Sequence, residues 1–209
     1  MPVEFDGEYW AEHYGGRAAH GGRQPTVHLV TEVGDLAPGR ALDAGCGEGA
    51  DAVWLAGRGW RVTAVDISAT ALGRGREHAE RLGAAVADRI DWVQADLTTW
   101  TPPGDAFDLV CSHYVHSTAP TGTLVRRLAA SVAPNGTLLV VGHHPSDPHH
   151  HGQPPRAAEA QVTAEEMAAA LGPGWDVLVA GTRTRPAGGG PHGHGGTSRD
   201  AVLRARRRP

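Results

Sequence analysis

The stretch ALDAGCGEGADAVWLA, residues 41–56, runs from a short apolar strand through three alternating glycines, Gly45, Gly47 and Gly49, into a helix. Glycines between a strand and a helix mark the first turn of a βαβ unit, because they permit a tight turn and let the main chain approach a ligand closely. The same stretch carries Asp43, Glu48 and Asp51. Such loops usually cradle phosphate, and carboxylates are poorly suited to that task. This conflict governs the reading of the rest of the chain.

Outward from the glycines, apolar strands alternate with helical spacings. RALDAG, WRVTAVD, RIDWVQAD, FDLVCSH and GTLLVVGHH read as buried strands. ADAVWLAGRG, SATALGRGREHAERLG and TLVRRLAASVAPNG read as helices, with Ser68 as an N-cap and Gly83 as a stop. Upstream, the spacing predicts a helix from about Gln24 to Leu36, ended by Pro38-Gly39. Downstream, residues 143–162 form a His- and Pro-rich loop, and Thr163 with Glu166 has capping-box spacing before a further helix. WDVLVAGTRTR and SRDAVLRARR are strands joined by a glycine-rich link too pliant for a crossover helix, so they form an antiparallel hairpin. The expectation is an α/β fold with a doubly wound, mostly parallel seven-stranded sheet. A single domain spans 1–209, with a helical cap over 1–37 and a Rossmann-like core over 38–209.

Composition excludes several functions. All 19 basic Lys and Arg positions are arginine, so Schiff-base chemistry and the P-loop lysine are ruled out. The net charge of −4 and the scattered arginines give no broad nucleic-acid footprint, the Arg204–Arg208 run reading as a solvated tail. Neither a signal peptide nor a run of roughly 18 apolar residues is present, which predicts a cytoplasmic protein with no membrane partner. A monomer and a homodimer are both compatible with the sequence. Cys46 and Cys111 are too few for a disulfide framework and lack zinc-site spacing.

Gly45, Gly47 and Ala50 satisfy G-x-G-x-x-A, and Asp66 ends the next strand, as a dinucleotide site requires. An NAD-dependent oxidoreductase is therefore one reading. Yet a carboxylate about 5 Å from a phosphate charge costs roughly 3 kcal/mol at an effective dielectric near 20, and both Asp43 and Glu48 are in or beside the loop. S-adenosylmethionine has no phosphate and carries a sulfonium, an ammonium and a carboxylate, so an acidic loop suits its cationic groups while backbone N–H groups of the glycine turn can meet its carboxylate. Asp43 complements its charge, Asp66 accepts from ribose hydroxyls, Asp96 accepts from the adenine amino group, and Leu97 covers the ring. Glu48 and Asp51 mainly favour the N-terminus of the following helix.

Taken together, LDAGCGEGADAVWLAGRGWRVTAVDIS, VQADLTTW and FDLVCSHYVH resemble the successive cofactor motifs of class I S-adenosylmethionine-dependent methyltransferases. The resemblance runs from about Arg40 to the final hairpin. It implies a cofactor site at Asp43, Ala44, Gly45, Cys46, Gly47, Asp66, Ile67, Asp96, Leu97 and Ser112; Trp10 and Tyr14 either form a lid over the methyl group or anchor the N-terminal helix to the domain. It also implies a last strand inserted antiparallel between the fifth and sixth. The helix pattern G-x-x-A-x-x-L-A-x-x-G is similar to the tellurite-resistance and thiopurine methyltransferase-like branch.

Ligands of open α/β sheets bind beyond the carboxyl ends of the strands. A small-molecule acceptor with a hydroxyl or amine needs a base there, and His113 and His116, then His13 and His143, are the candidates. A thiol, selenium or tellurium acceptor would need none. His143, His144, His149, His150 and His151 raise the idea of a non-catalytic metal binder, but a glycine- and proline-rich loop offers no fixed geometry, and no metal site is assigned.

Overall fold

The structure, a computed structural model, describes residues 24–116, 120–147, 161–186 and 196–209. Its elements in chain order are α1 (Val27–Val33), β1 (Arg40–Ala44), α2 (Ala50–Gly57), β2 (Arg61–Asp66), α3 (Ala69–Leu82), a short α4 (Ala84–Ala87) and β3 (Ile90–Gln94). They continue with β4 (Phe107–His113), α5 (Thr121–Ala129), β5 (Val132–His143), α6 (Ala164–Ala169), β6 (Trp175–Pro186) and β7 (Thr197–Arg207). The strands make one seven-stranded sheet in the order β3-β2-β1-β4-β5-β7-β6. β1 to β5 are parallel, and β7 enters antiparallel between β5 and β6, as the family resemblance implies.

Successive strand residues face opposite sides, so each buried strand feeds two cores. Leu42, Val110, Leu138 and Val140 pack with Leu124, Leu128 and Met167 of α5 and α6. Ala41, Leu109, Leu139 and Val141 pack with Leu29 of α1, Leu55 of α2 and Ala79 of α3. Helices thus cover both faces. The order of strands reverses between β1 and β4, which places the crevice over the carboxyl ends of these two neighbours.

Local signals and structure agree at the caps. Ser68 Oγ accepts from Ala71 N at 3.2 Å, and the Thr163 and Glu166 capping box closes in both directions. Several boundaries differ from the sequence expectation. α1 covers only Val27–Val33 of the expected 24–36, and the Thr26 hydroxyl that could cap it donates instead to Asp51. α5 stops at Ala129, because Val132 already pairs with Phe107 and β5 starts there, carrying Asn135 at φ +65°. β3 ends at Gln94, two residues before Asp96. Of the expected cap over 1–37, residues 1–23 lie outside the described residues, and Trp10, His13 and Tyr14 with them. No helix among the described residues is long and apolar enough to cross a membrane.

Candidate functional site

At the carboxyl end of β1 the chain turns through Gly45, Gly47 and Gly49, all with positive φ (79°, 54° and 74°). The space matches the conformation: a Cβ on Gly45 would lie 2.2 Å from Val115, and one on Gly49 2.3 Å from Trp92. Such contacts shut out any side chain at either position. The loop's amides are engaged internally. Gly45 N and Cys46 N donate to Val65 O at 2.8 and 2.9 Å, Gly47 N donates to Asp66 Oδ2 at 2.8 Å, and Gly49 N donates to Cys46 O at 2.9 Å.

What the loop presents is therefore its acids. Asp43 is 2% exposed, and its Oδ2 has no hydrogen-bond partner. Burial raises the Asp43 carboxyl well above the ordinary range, and the nearby Asp51 and Asp66 charges add to the effect. Asp66 is also raised by burial, which the N–H groups of Ser68 and Gly47 offset only in part. Among the described residues, no hydrogen bond or ion pair joins either acid to a side-chain cation. An approaching cation would favour the carboxylate form and supply what burial has removed, whereas an anion would push both acids further toward the neutral form. Burial and these same acids push both Cys46 and Cys111 up, so neither thiol forms a thiolate near neutral pH.

Opposite, at the end of β4, stands a pair that local sequence does not reveal. His113 Nδ1 lies 2.6 Å from Asp51 Oδ2, although the residues are 62 apart in the chain. Asp51 also accepts from Thr26 N at 2.6 Å and Thr26 Oγ1 at 2.8 Å, so it fastens the start of α1 to α2. Burial opposes the Asp51 charge, but the bonds from His113 and Thr26 outweigh it and hold the carboxyl below its ordinary range. The expected role at the N-terminus of α2 is thus joined by a larger one, though Asp51 does sit in that helix's first turn. A carboxylate on Nδ1 makes that nitrogen the donor, which leaves Nε2 as the acceptor. Nε2 is buried and has no partner.

A second polar hub surrounds Asp200 on β7, a residue not singled out from the sequence. Its side chain is 0% exposed, and Oδ2 accepts from His28 Nε2 at 2.9 Å, Tyr114 Oη at 2.9 Å and Arg185 Nε at 2.7 Å. These bonds outweigh burial and hold Asp200 below the ordinary range. Tyr114 follows β4 with φ +53°, a conformation that costs a bulky residue of order 1–3 kcal/mol. Burial and the Asp200 charge push its phenol well above the usual range, so it stays a neutral donor.

The remaining sequence candidates fall as follows. Ala44 and Ser112 are buried at the ends of β1 and β4. Ile67 O accepts from Gln94, and Asp96 Oδ1 caps its own turn by accepting from Thr98 N at 2.7 Å. Leu97 belongs to the core beside α5, with its carbonyl accepting from Arg127. The ring centroid of His143 is 4.7 Å from that of Tyr114 and 6.0 Å from that of His116. At the opposite edge, a cleft of about 310 Å³ is lined by Arg40, Arg61 and Arg89 together with Asp88, Asp91 and Phe107, at the amino ends of the strands and away from all these groups.

Residues 41–136 match the family described as a methyltransferase domain. The chain is 37% identical over 121 residues to trans-aconitate 2-methyltransferase of Paracidovorax citrulli, covering 56% of this chain and 44% of that protein. It spans about half the length of the curated relatives it matches. Among solved structures it is similar to TehB from Haemophilus influenzae (TM-score 0.67, 17% identity, 97% of this chain and 67% of that one). It is also similar to magnesium protoporphyrin IX methyltransferase from Synechocystis with SAM bound (TM-score 0.59, 23% identity, 86% and 74%).

Proposed function

We infer, for a chain that carries the methyltransferase domain at residues 41–136 and has the fold of class I S-adenosylmethionine-dependent methyltransferases, that it transfers a methyl group from S-adenosylmethionine. The cofactor reading is supported by Asp43 Oδ2, a buried carboxylate oxygen without a partner; Glu48 is paired with Arg74 at 3.1 Å, so Asp43 and Asp66 are the acids that disfavour phosphate. Asp43 would hold the positively charged end of the cofactor, Asp66 its ribose, and Asp96 with Leu97 its adenine. Because the loop amides are already bonded, the glycines contribute close main-chain approach and the carboxylates contribute charge. The bound sulfonium supplies an electrophilic methyl group, and the site's part is alignment and exclusion of water. An NAD-dependent oxidoreductase would have to place pyrophosphate against these same acids.

The acceptor is a small molecule methylated on oxygen or nitrogen, and His113 is its base. The carrying observation is the Asp51 and His113 pair: Nδ1 is held by a carboxylate, and Nε2 is buried, unpartnered and available to take a proton. Asp51 would then stabilise the imidazolium. No proton-transfer role is assigned to His116 and His143.

Methyl transfer from labelled cofactor to a panel of phenols, amines, carboxylates, thiols and selenite tests both steps. On a hydroxyl or amine acceptor, His113→Gln should lower kcat by about 10²–10⁴-fold with little change in cofactor affinity. Undiminished turnover in that variant would remove His113 from the chemistry. Turnover confined to thiols or selenite would replace this acceptor reading with the soft-anion one. Tight binding of NADH with none of S-adenosylhomocysteine would remove the methyltransferase reading altogether.

A further inference from the structure

We propose that His143, Asp147 and Asp200 form a binding site for one divalent transition-metal ion. The inference is independent of methyl transfer. One ligand atom from each of the three residues lies within 4.8 Å of the other two, and both aspartates are fully buried. The decisive atom is Asp200 Oδ1. All three donors to this carboxylate, from His28, Tyr114 and Arg185, reach Oδ2, while Oδ1 is buried without a partner. Oδ1 faces His143 Nδ1 at 3.8 Å, too far for a hydrogen bond. Ligand bonds of about 2.0–2.2 Å put two ligands of one transition ion up to roughly 4.3 Å apart, so 3.8 Å fits an ion between them and the widest pair needs to close by only about half an ångström.

The frame around the three ligands is built, and that frame is what a loop histidine by itself lacks. Asp200 is held by its three donors on the far oxygen, the arrangement by which neighbouring hydrogen bonds orient a ligating carboxylate. His143 pairs with Asp200 across β5 and β7. Asp147 is delivered by a turn in which His144 Nδ1 accepts from Ser146 N at 3.1 Å and Asp147 N donates to His144 O at 2.9 Å. His144 N donates to Arg199 O, which anchors that turn to β7 next to Asp200. One imidazole and two carboxylates suit a borderline ion such as Zn²⁺ or Mn²⁺. Three protein ligands leave positions open for water or an oxygen-bearing molecule.

A tag-free full chain, stripped with chelator and desalted, would be titrated with Zn²⁺ by calorimetry and with Mn²⁺ by electron paramagnetic resonance. One ion should bind per chain. Asp147→Asn and His143→Gln should each weaken binding at least tenfold with unchanged circular dichroism, while a His149, His150 and His151 triple alanine variant keeps binding. Absence of saturable binding by the wild-type chain would overturn the proposal. Binding by folded Asp147→Asn and His143→Gln variants equal to wild type would do the same, as would loss of binding only in the triple variant.

Discussion

Asp43 and Asp66 lie at the ends of β1 and β2, Asp51 on α2 and Asp200 on β7; all four are buried at one edge of the same sheet, yet they fall into two opposite classes. Asp43 and Asp66 are served by main-chain N–H groups and a thiol, and burial raises them. Asp51 and Asp200 are served by His113, Thr26, His28, Tyr114 and Arg185, and these bonds hold them down. Similar burial therefore does not fix a carboxylate's charge; its side-chain partners do. The first class lacks an internal counter-charge and is suited to receive one. The second already has its donors and acts as a fastening.

The largest effect is expected at Asp200. Asp200→Ala strips a buried carboxylate from Arg185, His28 and Tyr114, and should cost about 3–5 kcal/mol in denaturant unfolding. A loss below about 1 kcal/mol would make the hub decorative. Asp43→Asn should act with the opposite sign on the unliganded chain, which should be no less stable, while S-adenosylmethionine affinity falls about 10- to 100-fold, the worth of a charge-assisted bond of about 1.5–3 kcal/mol. The raised Asp43 carboxyl also sets a sign with pH. The free site prefers the proton and a bound cation prefers the carboxylate, so affinity should rise as pH rises above about 4, with proton release measurable by calorimetry in buffers of different ionisation enthalpy. Cofactor affinity in Asp43→Asn should lose this dependence.

The smallest effect is expected from Asp51. Its carboxyl is held below the ordinary value, so its stabilising contribution is complete above about pH 4 and is lost as pH falls through the lowered value. Asp51→Asn should therefore flatten the acid limb of a stability profile. An unchanged limb would show that the bonds from His113 and Thr26 do not persist in solution.

Much of the fold was legible because it is written in short-range chemistry. The 45–49 glycines, the Ser68 cap, the Thr163 and Glu166 box and the two final strands each signal themselves within a few residues. The start of β5 was not, since SVAPNG has turn composition and becomes strand only by pairing Val132 with Phe107. The same limit applied to the site. The acids of the loop announced a cationic ligand, but the partner of Asp51 lies 62 residues away and Asp200 meets His28 across 172. One signal for Asp200 was available: a charge adjoining the apolar run AVL in a strand that must be central has to find a partner.

Because β7 sits between β5 and β6, the strand made last among those described is not at the margin of the sheet. During synthesis, β5 emerges about 54 residues before β7 begins, which at about 5–20 residues per second is an interval of roughly 3–11 s. Throughout it the Leu138–Val141 segment offers an open apolar edge, a template for pairing with other nascent chains. Asp200 arrives in the same final strand, so the aggregation hazard ends and the second hub closes in one late event.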